Sequence, residues 1–158
     1  MTFSAPPGID GDKLIQAIAV VETNDGLNSY PRFESGYAPK GFAATIQGRI
    51  VRGTGACFNS IVAERWKEWG MASACSFSKW QILAHTAMDL GFAEAPWLLW
   101  SDEVALPFVI KRLTVIRDRY HALTVADFAD SWNSGTFRDK IIPQQYIDSV
   151  LDAYGKLG

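Results

Sequence analysis

The sequence predicts a mainly α domain interrupted once, after its first helix, by a long loop or small β-hairpin. Two observations carry that prediction. Apolar residues recur at three- and four-residue spacing between recognisable cap and stop residues along most of the chain. Only the stretch from Leu27 to Gly55 breaks the pattern, with Pro, Gly and aromatic residues and short β-compatible pieces in "AATIQGRIVRG". The chain has 158 residues, the size of one ordinary domain, so residues 1–158 are read as a single unit with 1–10 as an extended lead-in.

The elements follow in order. Asp10 or Asp12 caps a first helix in which Leu14, Ile15, Ala17, Ile18 and Val21 share a face, and Asn24, Asp25 and Gly26 stop it. "FNSIVAERWKEWG" starts from Asn59 or Ser60 and ends at Gly70. "SFSKWQILAHTAMDLG" places a hydroxyl-rich turn before a helix whose first turn presents Gln81, and Gly91 is its left-handed stop. "SDEVALPFVIKRLTVIRDRYHAL" carries the stripe Val104, Phe108, Leu113, Ile116 and Tyr120, with Ser101 as cap and Pro107 as the place for a kink. "TVADFADSWNSG" is capped by Thr124, stopped by Gly135, and faces Val125, Phe128, Ala129 and Trp132 inward. Pro143 opens a last helix with Tyr146, Val150, Leu151 and Tyr154 inward.

Composition narrows the function classes. Hydrophobic residues make up 48% and charged residues 20%, a globular balance. Fifteen Lys and Arg against seventeen Asp and Glu leave a net charge of −2 with the signs interspersed, which argues against a nucleic-acid partner. No run of apolar residues is long enough to span a bilayer, and "MTFSAPPGIDGDK" has no basic segment followed by an apolar one, so neither a membrane nor a signal peptide is expected. Cys57 and Cys75 fit no metal spacing and are read as two buried thiols, with pairing left open. His85 and Asp89, four apart, lack further ligands and read as a surface pair. No metal or organic cofactor is implied.

Glu22 stands out because it follows Val20 and Val21 at the end of an apolar helix. A carboxylate there either points at water or is kept protonated by an apolar wall. "SFSKWQI", "SWNSG" and "QQYIDSVLDAY" add Gln81, Asn133 and Tyr146 as further polar and aromatic candidates. Taken in order, "VVETN", "SFSKWQI", "SWNSG" and "YIDSVLDAY" resemble the lysozyme-like superfamily of peptidoglycan-cutting enzymes, which includes soluble lytic transglycosylases, goose-type lysozymes and phage N-acetylmuramidases. The resemblance spans about residues 12–156. "YPRFESGYA" is similar to the "LFE" segment that follows the catalytic helix in the phage enzymes.

The resemblance implies a lysozyme-like helical domain acting on peptidoglycan glycan strands, and a monomer. Glu22 matches the catalytic acid, and Glu34 matches the acid of the muramidase "FE" segment and is taken as a further catalytic candidate. Gln81 and Asn133 match polar cleft residues, and Tyr146 an aromatic near the acid. Three positions depart from the family pattern. Thr23 replaces Ser and keeps a hydroxyl, and Trp132 replaces Tyr and keeps an aromatic wall. Ser78 stands where the family has Gly, a position that would need a positive φ or a close backbone approach. The absence of a recognisable leader or wall-binding module points by analogy to a phage endolysin or virion protein, cytoplasmic before release or virion-associated.

The chemistry gives an independent reason for the acid. A glycosidic oxygen leaves poorly unless protonated, and a Glu with an ordinary pKa of about 4.3 is mostly ionised near neutrality. Burial against an apolar wall raises that pKa, and the acid of lysozyme is the well-known instance of the effect. The expected wall is Val20, Val21 and Trp80 or Trp132. A water-activating or nucleophilic carboxylate, roughly 5–9.5 Å away depending on the route, would come from Asp25 or Glu34. With neither in reach, the muramic acid 6-hydroxyl would close onto C1. Two other readings remain: a chitinase or chitosanase, and a non-catalytic sugar-binding or phage structural module.

Overall fold

The computed structural model describes residues 2–134 and 144–158. Among the described residues the chain is predominantly helical, 57% helix and 10% strand, with six α-helices and two small sheets. Helix α1 (Gly11–Thr23) starts where Asp10 accepts hydrogen bonds from the backbone of Asp12 and Lys13, and ends at Asn24 in the left-handed region. The lead-in before it is docked. Phe3 is buried, packs edge-on against Phe128 at 5.6 Å between ring centroids, and the Asp10 backbone N–H donates to the Tyr154 hydroxyl.

The excursion after α1 holds more than a loop. Strand β1 (Arg32–Phe33) is followed by a 3-10 turn (Ser35–Tyr37), then by the hairpin of β2 (Ala43–Ile46) and β3 (Arg49–Arg52). Helix α2 (Ser60–Trp69) is capped by the Asn59 side chain on Val62 N–H, and a 3-10 turn (Gly70–Ala74) follows.

The largest departure from expectation comes next. "SFSKWQIL" is not the run-in to a helix but two short strands, β4 (Cys75–Phe77) and β5 (Ile82–Leu83), joined by a turn. Strand β4 lies between β1 and β5, antiparallel to both, pairing Arg32 with Ser76 and Phe77 with Ile82. Helix α3 (Ala84–Asp89) begins only after them. Gln81 therefore sits on a sheet turn, with φ +49°.

Helix α4 (Asp102–Tyr120) runs through Pro107, and its buried stripe is Ala105, Val109, Ile110, Leu113 and Ile116. The expected residues Val104, Phe108 and Tyr120 pack against the core from its flanks. Ser101 makes no side-chain cap. Helix α5 (Val125–Ser134) opens with a reciprocal cap: the Thr124 hydroxyl oxygen accepts from Asp127 N–H, and the Asp127 carboxylate accepts from Thr124 N–H and Leu123 N–H. Helix α6 (Gln144–Lys156) buries Val150 and Ala153, whereas Leu151 is exposed rather than inward. Gly135 and Pro143, assigned to the end of α5 and the opening of α6, lie outside the described residues.

Two apolar clusters meet at α1. One face, with Leu14, Ile15 and Ile18, joins Leu99, Leu113, Ile116 and Phe128 in the main core. The other sets Ala17 against Ala129, Val150 and Ala153, and these small side chains let α1 approach α5 and α6 closely. Val20 and Val21 pack on that second cluster. The last turn of α1 is thus held from both sides, and Glu22 projects from it.

Candidate functional site

The Glu22 side chain is 6% exposed. Its Oε1 accepts a 2.8 Å hydrogen bond from the Tyr146 hydroxyl of α6, and its Oε2 lies 3.6 Å from Nη1 of Arg32. Burial pushes the carboxyl above its ordinary value. The Tyr146 hydroxyl and the Arg32 guanidinium oppose that, the nearby Glu34 charge adds to it, and Trp132 opposes it weakly. Burial also raises the Tyr146 phenol, with the adjacent Glu22 reinforcing it, so Tyr146 is a proton donor in the hydrogen bond.

Arg32 and Glu34 are two apart at the end of β1, a spacing that puts both on one face of a strand. Arg32 Nε donates to Glu34 Oε1 at 2.9 Å, so one guanidinium sits between the two carboxylates. The Ser76 hydroxyl on the neighbouring strand donates to the same Oε1 at 2.8 Å. Glu34 Oε2 has no hydrogen bond among the described residues and is available to a water or ligand.

These groups line an open cleft of about 300 Å³, at the small end of ligand sites. Glu22, Arg32, Glu34 and Ser76 lie beside Gln81, and Arg112, Trp132, Asn133 and Ser134 contribute from α4 and α5. Tyr37, Cys57, Ile82, Leu83 and Thr86 complete the lining.

The β4–β5 turn presents Gln81 in a particular way. Its Nε2 donates to the carbonyls of Ser78, at 3.0 Å, and Tyr30, at 3.3 Å. Those bonds fix the amide, and its Oε1 is buried with no partner among the described residues. A buried unpaired acceptor is costly unless something donates to it. Ser78 and Gln81 both hold positive φ, +64° and +49°, a conformation that non-glycine residues adopt at a cost.

Thr23 fastens this turn to α1. Its hydroxyl contacts the Lys79 carbonyl at 2.7 Å and the Ala19 carbonyl at 3.1 Å, and accepts from Gly26 N–H at 2.9 Å. The residue after Glu22 thereby sets where Gln81 stands relative to the acid.

Of the candidate residues, Glu22, Glu34, Gln81, Trp132 and Asn133 share the cleft, and Tyr146 touches it through Glu22. Ser78 does not. It is fully buried, and it shapes the turn through its carbonyl and through a hydroxyl that accepts from Trp80 N–H. Asp25 lies past the left-handed end of α1, with Lys79 Nζ at 3.9 Å. The expected apolar wall also differs. Trp80 is in the core, donating to the Ile15 carbonyl, and Val20 and Val21 face α6, so the aromatic rings beside Glu22 are Tyr146 and Trp132.

Two other expectations change. Cys57 is exposed rather than buried; Cys75 is buried, its thiol pushed up to about 11, and neither forms a disulfide. His85 is buried rather than on the surface, with Arg65 bridging it to Asp89. Sequence reasoning passed over Arg32, Arg112 and Ser76. Only Arg32 left a readable signal, its two-residue spacing from Glu34.

Among the described residues no group of three or more His, Cys, Asp and Glu is arranged to hold a metal ion, and no helix is long and apolar enough to cross a membrane. Comparison with known family models, with curated proteins and with solved structures finds no match.

Proposed function

We propose that this chain is a lysozyme-like, peptidoglycan-cleaving glycosidase in which Glu22 protonates the bridging oxygen of the β-1,4 bond between N-acetylmuramic acid and N-acetylglucosamine. The observation that carries the reading is a buried carboxyl, raised above its ordinary pKa, on an open cleft with a second carboxylate across one arginine. A protonated Glu22 supplies the proton that the departing sugar oxygen needs. Tyr146 holds the carboxyl in place, so the geometry survives when the proton leaves.

Glu34 takes the second role. Arg32 and Ser76 occupy one of its oxygens, leaving the other for a water directed at C1. Gln81 lines the cleft with its amide held by the Ser78 and Tyr30 carbonyls, and it shapes the floor on which the sugar lies. Trp132 and Asn133 form the facing wall. A cationic chitosan chain is the poorer fit, because two arginines line the cleft.

The test is digestion of purified peptidoglycan by wild type and Glu22→Gln, with released muropeptides weighed by mass spectrometry. Wild type yields hydrated reducing ends, and Glu22→Gln loses at least about a hundredfold in rate, the usual scale for a general acid. Products lighter by one water would replace Glu34 with the muramic acid 6-hydroxyl as the attacking group. Equal cutting by the variant overturns the role of Glu22, and no cutting by wild type overturns the glycosidase reading in favour of a sugar-binding module.

A further inference from the structure

The two arginines of the cleft are not equivalent. Arg32 is occupied by Glu22 and Glu34. Among the described residues Arg112, half-buried on α4, makes one hydrogen bond, from Nη2 to the Ser131 carbonyl at 3.2 Å, and has no carboxylate partner. A guanidinium has five N–H donors in a planar fork, and among the described residues most of this fork has no partner. Its anchor is one residue before Trp132, the ring beside Glu22, so the fork is held on the same wall as the acid's aromatic neighbour.

Resting on the glycosidase reading, we propose that Arg112 is a specificity residue that receives a carboxylate of the substrate, selecting acidic glycan over neutral N-acetylated chitin. Charge supports the choice. The ionisable side chains of Lys, Arg, Asp and Glu lining the cleft are Arg32, Arg112, Glu22 and Glu34. When Glu22 carries its proton the balance is one positive charge, although the chain as a whole is at −2. A bound carboxylate neutralises that excess in a partly water-excluded site, and a planar fork suits a carboxylate's two oxygens. The muramic acid ring carries a lactyl group two carbons from the C1 that is attacked, close to Glu22. Its carboxyl is free where the stem peptide has been removed, and the stem peptide supplies carboxylates where it has not.

The experiment measures binding in the Glu22→Gln background, so it does not depend on turnover. Three ligands of matched length are compared: strands stripped of stem peptides, strands retaining them, and N-acetylated chitin oligosaccharide. Glu22→Gln binds the acidic strands more tightly than chitin, and adding Arg112→Gln lowers that preference by about tenfold or more, the scale of a hydrogen bond to a charged group. A loss confined to stripped strands assigns the lactyl carboxylate, and a loss confined to intact ones the stem peptide. Arg112→Lys keeps the charge without the fork and retains part of the preference.

A preference unchanged by Arg112→Gln, with its melting curve intact, overturns the proposal while leaving the Glu22 digestion result to stand or fall separately. If Arg112→Gln does not fold, salt decides on the Glu22→Gln protein. A preference for acidic strands that weakens as ionic strength rises supports the ion pair, and a salt-independent one rejects it.

Discussion

Tyr146 and Glu22 are 124 positions apart in sequence and 2.8 Å apart in space. The phenol stabilises the Glu22 anion, while burial destabilises it more, leaving the carboxyl raised. A general acid works while protonated, so its rate falls as pH rises through its pKa. Tyr146→Phe removes a stabiliser of the anion, so Glu22 should hold its proton to higher pH. The falling limb of the kcat/KM profile on peptidoglycan should then move upward. A limb that moves down or stays would mean that Tyr146 does not act through the acid. At this scale the sequence was informative about identity and poor about neighbours. Glu22 is visible as a carboxylate ending an apolar stretch, but the rings that desolvate it arrive from α5 and α6.

At the scale of elements, the join between α1 and the β4–β5 turn is the feature on which the cleft depends. Thr23 is 2% exposed, and its hydroxyl holds the Lys79 carbonyl and Gly26 N–H. Thr23→Val keeps the shape and strands both groups. A loss of about 1–3 kcal/mol in chemical denaturation follows, with Thr23→Ser close to wild type. Weaker sugar binding should accompany the loss, since the turn carries Gln81. Near-equal stability of the valine and wild-type proteins would contradict the tie.

The helices were legible because their signals are local. Asp10, Asn59 and Thr124 sit where caps are needed, and the apolar spacing picks out the buried Leu14, Ile15, Ala17 and Ile18 of α1 and Phe128 and Ala129 of α5, while Val21, Val125 and Trp132 are only partly buried. The strands β1, β4 and β5 were not. Each has two or three residues; β1 pairs with β4 across more than forty positions, so no short window contains its partner, and the turn between β4 and β5 takes its positive φ at Ser78 and Gln81 rather than at the Gly or Asn that announce a hairpin. Leu151 fails for a related reason: its spacing fits the inward face of α6, but the buried contacts fall on Val150 and Ala153.

At the scale of the whole molecule, the cleft is assembled from α1, the β1–β4–β5 sheet, the segment carrying Tyr37 and Cys57, α3, α4 and α5, with α6 reaching it through one hydroxyl. The order of short motifs was readable in the sequence; their convergence was not, since Ser78 and Asp25 lie in equally suggestive places and stay out of the cleft. Apolar packing around α1 buries one carboxyl while leaving its cleft open, and the proposed chemistry depends on that combination.

The combination is most directly tested by titrating the Glu22 side-chain carboxyl by carbon-13 NMR, with Glu22→Gln identifying the resonance. The midpoint should lie above the ordinary glutamate value of about 4.3. A midpoint at or below that value would mean that Glu22 is an ordinary ionised carboxylate near neutrality and cannot be the acid of this cleft.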